Sequence, residues 1–191
     1  MKNLFTLLLF LTVSSYSQST ESLKTGIKKY YQANYLLDFE TIVSLSYAKM
    51  VETIGRDEFL KKVESHYEND EYRLRFQLEN VPFKFGEIKK IENKSFCVIT
   101  CRNPIRYTFE TKLTPETVTQ KAAFLKEINK TKEVIFEPKR NSFNVSKTSV
   151  IVAIFDENTK EKWQFYNLDE ATQYNYFITF FGESTKKELG L

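Results

Sequence analysis

Residues 72–79 read YRLRFQLE, and apolar and polar side chains alternate along the whole stretch. Successive side chains of a β-strand point to opposite faces, so this alternation predicts a strand with one buried face and one wet face. Residues 105–113 alternate in the same way, and residues 83–91 and 95–102 also favour strands. Asn103-Pro104 predicts a turn between the last two segments. Four successive strand signals with short connections indicate antiparallel pairing.

A helical period precedes these strands. Apolar residues recur at three- and four-residue steps from 21 to 36, which predicts an amphipathic helix. Asp38 is suited to cap a second helix over 39–47, because its carboxylate can accept hydrogen bonds from the first free amides. Gly55 predicts a break, followed by a third helix over 57–67.

The second half of the chain continues the mixed pattern. Thr114-Pro115 predicts the start of a helix, since a capping hydroxyl stands before a proline at the first helical position. Asp169 predicts the cap of a final helix that Gly182 weakens. Further strands are expected over residues 133–137, 142–146, 148–155 and 161–168. The order predicts an α+β domain with a strongly curved antiparallel sheet wrapped around the N-terminal helices.

The first residues indicate export. Lys2 precedes an apolar run from Leu4 to Val13, and small residues follow at Ser15 and Ser17. This is the layout of a cleaved secretory signal, and the run is too short for a membrane span of ~20 residues. We expect a signal peptide over 1–17, one domain over 18–191, no membrane span in the mature chain, and a periplasmic or extracellular location. A buried N-terminal helix is the alternative.

Composition excludes several function classes. The chain has 28 Lys and Arg against 25 Asp and Glu, and its basic pairs are scattered among acids, so no basic stripe for nucleic acid is expected. A glycine-rich phosphate cradle is absent from the sequence. Cys97 and Cys101 lie four residues apart on a predicted strand, which separates their α-carbons by ~13 Å, whereas a disulfide tolerates about 7 Å. We therefore expect two buried free thiols, with a disulfide bridge as the alternative. Two thiols and one histidine do not form a zinc-binding pattern, so no metal is expected, and no cofactor is expected either.

Two segments carry a resemblance to a known family. Residues 28–34 (KKYYQAN) and 38–42 (DFETI) resemble the opening of nuclear-transport-factor-2-like proteins, also called the cystatin-like α+β cone. Residues 162–167 (KWQFYN) are similar to the closing strand of that superfamily. The resemblance implies a cone-shaped fold with a pocket, like that of secreted bacterial members, with an inserted helix from Pro115. It does not imply a reaction, because the superfamily includes isomerases, dehydratases, cyclases and binding modules.

His66 is the one histidine of the chain, so an imidazole acid–base mechanism has to use it. The alternative is a structural histidine at the C-terminal end of a helix, which the helix dipole favours. Acidic residues fall at outward strand positions and helix starts, so the sequence offers no carboxylate partner for His66.

Aromatic residues that carry a polar group, together with one asparagine, are the candidates for lining a pocket, because small-molecule sites often combine apolar walls with a few polar groups. The candidates are Tyr31, Asn34, Tyr35, Tyr107 and Trp163. We therefore expect a non-enzymatic binding module that holds a small apolar or amphipathic ligand, or a peptide. The alternatives are an isomerase, dehydratase or cyclase that uses His66, and an interaction module that forms a homodimer through its sheet face.

Overall fold

The computed structural model describes residues 20–160 and 162–191. The expected signal peptide, residues 1–17, lies outside the described residues. Within them the chain folds into six α-helices and seven strands of one antiparallel sheet. The helices are α1 (20–36), α2 (Phe39–Leu45), α3 (Ala48–Ile54), α4 (Arg56–Tyr67), α5 (Pro115–Ile128) and α6 (Ala171–Glu188). The strands are β1 (Arg73–Phe76), β2 (Phe83–Phe85), β3 (Lys89–Ile91), β4 (Lys94–Thr108), β5 (Val134–Glu137), β6 (Ser142–Phe155) and β7 (Gln164–Asn167).

The helices near the N-terminus follow from local signals. The predicted first helix is confirmed, and Asp38 caps α2 as expected by accepting from the Thr41 amide at 3.1 Å. The second helix ends at Leu45, and the separate helix α3 follows, which the sequence pattern did not predict. Gly55 then takes a φ of 90°, a value that favours glycine, and α4 begins at the next residue.

Two long strands form the centre of the sheet. β4 and β6 pair from Ser95 opposite Phe155 to Thr108 opposite Ser142. β1, β2 and β3 line the outer edge of β4, while β5 and β7 line the outer edge of β6. The α+β class and the antiparallel sheet are thus confirmed, and the sheet does not close into a barrel.

The predicted turn at Asn103-Pro104 is wrong, because both residues lie inside β4. A proline has no amide hydrogen and is tolerated in a strand where that amide would face an edge. The Pro104 carbonyl accepts from the Gln77 amide at 2.9 Å, so this residue directs its backbone groups toward the outer edge of β4. The missing amide hydrogen of Pro104 therefore removes no hydrogen bond between β4 and β6. The predicted break between residues 146 and 148 is also wrong, since β6 runs through it.

Helices cover both faces of the sheet. On the face that we call the inner face, α1 packs through Tyr30, whose ring stacks on Phe165 of β7 with centroids 5.2 Å apart. α6 covers one end of the other face, where Phe181 meets Phe96 of β4 at 5.2 Å. The hydrophobic core lies mainly between the inner face and the helices above it. Among residues 20–160 and 162–191, the helices lack the length and apolar character needed to cross a membrane.

The start of α6 corrects another expectation. Asp169 was expected to cap this helix, but Glu170 does so by accepting from the amides of Thr172 and Gln173. Asp169 is thereby free to contact the sheet. The weakness expected at Gly182 is confirmed, since its φ of 75° interrupts the helical geometry of α6.

Candidate binding cavity

A band of polar side chains crosses the middle of the inner face. Directly opposed residues of antiparallel strands share a face, so each pair in the β4–β6 register forms one row. The rows Ile99–Ile151 and Ile105–Val145 are apolar. Between them lie two rows that we call the polar band: Cys101 opposite Ser149, and Asn103 opposite Lys147.

Hydrogen bonds tie the polar band to α1. The Tyr31 hydroxyl donates to Asn103 Oδ1 at 3.0 Å, and Asn103 Nδ2 donates to Ser149 Oγ at 3.2 Å. All three side chains are buried, and Asn103 is only 1% exposed. Burying an amide without partners costs several kcal/mol, so this chain of bonds explains how the fold tolerates Asn103 at its centre.

Asn34 lies one helical turn beyond Tyr31 on the same side of α1, because residues three apart on a helix are neighbours. Its Nδ2 donates to the Tyr30 carbonyl at 2.6 Å, and its Oδ1 accepts from the hydroxyl of Tyr67. The amide therefore connects α1 to the end of α4, and burial raises the pKa of Tyr67 well above its ordinary value. The phenol stays protonated and acts as a donor.

An ion pair closes one side of the band. Lys147 Nζ lies 2.9 Å from Asp169 Oδ2, and the two side chains are only 11% and 14% exposed. Asp169 Oδ1 also accepts from the Val150 amide at 3.3 Å. This contact is made at the outer edge of β6 between β5 and β7, and it explains why Asp169 does not cap α6.

Several of these groups line a small cavity with a volume of about 20 Å³. Its walls are Tyr30, Tyr31, Asn34, Phe76, Asn103, Ser149, Ile151, Asn167 and Asp169. A space of this size holds about one water molecule, whereas pockets for whole small molecules measure roughly 300–1,000 Å³. The enclosed space thus has room for a polar group of one or two heavy atoms.

The structure brings two of the five predicted pocket residues to this cavity, Tyr31 and Asn34. The other three lie elsewhere. Tyr35 is half-buried on α1, Tyr107 donates to Asn129 Oδ1 at 3.3 Å beneath α5, and the Trp163 ring packs 5.5 Å from that of Phe155.

His66 is half-buried near the end of α4 and does not line the cavity. Its ring meets that of Tyr67 edge-on, with the ring centroids 5.1 Å apart. Burial lowers the pKa of His66, and the charge of Lys147 acts in the same direction, while Glu170 and Asp169 oppose them. Within the described part of the chain, the imidazole makes no hydrogen bond to a carboxylate.

The two thiols are free and buried, as expected. Burial raises the pKa of Cys97 and of Cys101 to about 11, so both thiols are protonated at neutral pH in the folded protein. A search of residues 20–160 and 162–191 finds no cluster of three or more His, Cys, Asp or Glu side chains that could hold a metal ion.

Sequence reasoning missed four polar residues that line the cavity, Asn103, Ser149, Asn167 and Asp169, and it also missed Lys147, the partner of Asp169. Asn103 had a usable signal, because it stands in phase with the apolar positions 97, 99, 101, 105 and 107. A polar residue in phase with a buried face indicates either a hydrogen-bonded core position or a site. Lys147 and Asp169 gave no local signal, since their pairing depends on how β6 and β7 meet.

Comparison with protein-family models, with curated proteins and with solved structures found no match. The resemblance to the nuclear-transport-factor-2-like superfamily and its cone shape therefore stay predictions.

Proposed function

We propose that this chain is an exported binding module without catalytic activity, and that its cavity receives the polar head of a small amphipathic ligand. One observation carries the proposal: polar side chains of the band and of α1 line a small space on an otherwise apolar sheet face. An apolar row at these positions would contribute more to stability than buried amides and a buried ion pair.

The size and lining of the cavity set the chemistry of the head group. The space of about 20 Å³ admits a hydroxyl or an ammonium group but not a whole ligand. Asp169 is the one ionisable carboxylate among the lining residues, and it adds to the amide and hydroxyl oxygens around it. Lys147 already neutralises the charge of Asp169, so the preference comes from hydrogen bonding. The lining oxygens favour a head group that donates hydrogen bonds over an ionised carboxylate, which can only accept them.

Binding is preferred over acid–base catalysis because of where His66 lies. A general base has to reach the reacting atom directly or through one water molecule. The ring of Tyr67 packs against His66, and the Tyr67 hydroxyl is the group that contacts the cavity residue Asn34. This arrangement suits a structural histidine.

The test uses three probes with the same tail and different heads: octylamine, octanol and octanoate. We expect octylamine and octanol to raise the melting temperature of the protein, and octanoate to raise it less or not at all. Ser149→Val adds a methyl-sized group to the cavity wall and should abolish the shift. Thr148→Val is the matched control. Thr148 is exposed, and it precedes Ser149 on β6, so its side chain points to the opposite face of the sheet.

Equal shifts for all three probes in wild type and Ser149→Val would contradict the proposal, since they would indicate tail binding at some other surface. No shift with any probe in a correctly folded sample would contradict it as well.

A further inference from the structure

Residues 77–82 connect β1 to β2 along the edge of β4 and contain no helix or strand. We call this segment the strap. It follows directly after Phe76, which lines the cavity. Leu78 is 49% exposed, and Glu79, Asn80 and Pro82 are exposed too. Leu78 therefore presents an apolar side chain to solvent two residues after a residue of the cavity wall.

The Gln77 amide fixes the start of the strap to β4 through the Pro104 carbonyl, and the rest of the strap is attached to α1 by few interactions. The Tyr31 hydroxyl donates to the Leu78 carbonyl at 3.2 Å, and Gln32 Nε2 donates to Glu79 Oε1 at 3.4 Å on the surface. Segments with few buried contacts and exposed hydrogen bonds open at low free-energy cost. The opposite rim is held more firmly, since Asp169 bonds both Lys147 and a β6 amide.

One strap residue covers the polar band. Val81 is 9% exposed and packs with Tyr31 and Cys101 in a small cluster apart from the main core. Cys101 belongs to the polar band, so moving the strap away would expose both this thiol and the cavity side of Tyr31.

We infer that the strap is the entrance of the cavity, and that Leu78 contacts the apolar part of the molecule whose polar head enters. The inference rests on the proposed function. The strap opens from its Tyr31 attachment while β1 and β2 hold its ends, and Leu78 moves from solvent onto the ligand tail.

Opening can be measured without any ligand, because the two thiols provide a matched pair. Cys97→Ala leaves only Cys101, and Cys101→Ala leaves only Cys97, and burial gives both thiols a pKa of about 11. Cys97 lies in the main core and is 0% exposed, and it donates to the Gly86 carbonyl. We expect iodoacetamide to label Cys101 at least tenfold faster than Cys97.

Two further results sharpen this measurement. Tyr31→Phe removes the hydroxyl whose single proton is shared between the Leu78 carbonyl and Asn103 Oδ1. Labelling of Cys101 should therefore accelerate about fivefold, the factor for one ordinary hydrogen bond, with Cys97 unchanged. Low concentrations of urea should barely change the Cys101 rate, since a local opening exposes little surface. Equal labelling rates for the two thiols would overturn the inference, whatever the ligand experiments show.

The role of Leu78 is tested with octylamine. Leu78→Ser should weaken binding about tenfold, as expected when a half-exposed leucine loses contact with an apolar tail. Ile135→Ser is the control, because Ile135 is 69% exposed on β5, at the opposite edge of the sheet. Fast Cys101 labelling together with unchanged octylamine affinity in Leu78→Ser would overturn the Leu78 contact. Fast labelling with no octylamine binding in wild type would overturn the proposed function and leave the opening of the strap established.

Discussion

Two regions of the inner face differ although the same strands and the same helix form them. The row Ile99–Ile151 packs beneath α1 in a continuous apolar core, whereas the next two rows carry Ser149, Asn103 and Lys147. The apolar region gains free energy from burial alone, about 25 cal/mol per Å². In the polar band, every buried donor and acceptor needs a hydrogen-bond partner to offset the free-energy cost of its burial. The apolar region therefore stabilises the fold, whereas the polar band is the region that we propose for recognition.

The largest effect is expected in the apolar region. Phe165→Ala should lower the free energy of unfolding by about 4 kcal/mol, because the ring is fully buried and stacks on Tyr30. Urea denaturation measures the loss. Phe124→Ala is the control, since Phe124 is 45% exposed, and it should cost less than about 1 kcal/mol. Similar losses for the two variants would break the distinction between core and surface.

The ion pair should give the next largest effect. Asp169→Asn and Lys147→Met should each cost about 2 kcal/mol, less than for a fully enclosed pair because the side chains are 11–14% exposed. Removing one partner leaves the other charge poorly solvated, so the double variant should lose about 1–2 kcal/mol less than the two singles together. A double-mutant cycle by urea denaturation measures this coupling. Strictly additive losses would show that the two charges act independently.

The smallest effect depends on pH and reports on the border of the polar band. The pKa of His66 is lowered in the folded protein, so below the ordinary value of 6.5 the unfolded chain binds a proton that the folded chain does not. The free energy of unfolding should therefore fall as the pH drops from 6.5 toward the folded pKa. Above pH 6.5 the imidazole is neutral in both states, so His66 causes no loss of stability there. His66→Gln should remove that part of the acid dependence.

The measurement compares the free energy of unfolding of wild type and His66→Gln between pH 7.5 and 5. The charged groups that act on the imidazole are Glu170, Lys147 and Asp169. The pH dependence of the stability difference therefore reports how far burial and Lys147 outweigh the two carboxylates in lowering the pKa of His66. If wild type gains stability relative to the variant as the pH falls, the imidazole binds its proton more readily in the folded state, and the assignment is wrong.

Local patterns predicted the elements that local chemistry controls. The caps at Asp38 and Thr114 and the helix after Pro115 follow from side chains that bond amides two or three residues away. The alternation in residues 72–79 found β1, although the strand is shorter than the pattern. The α+β class and antiparallel pairing followed from these elements.

The predictions from the sequence were wrong where residues far apart in the chain determine the local structure. Pro104 predicts a turn by its chemistry alone, but the position lies at a strand edge that tolerates a missing donor. Asp169 predicts a cap, but Glu170 performs that role once Lys147 and the Val150 amide bind Asp169. Tyr31 and Asn34 were found because they lie on the buried side of an amphipathic helix. Their partners Asn103 and Tyr67 are 72 and 33 residues away and could not be assigned without the register.

We propose that the polar head group of a ligand enters the polar band. The most direct test is a nuclear magnetic resonance titration with octylamine that follows the side-chain amide signals of Asn34, Asn103 and Asn167, with exposed Asn80 as the reference. We expect saturable shifts of the three cavity amides that are absent in Ser149→Val and retained in Thr148→Val. Shifts confined to Asn80 and other surface signals, or cavity shifts that persist in Ser149→Val, would contradict it.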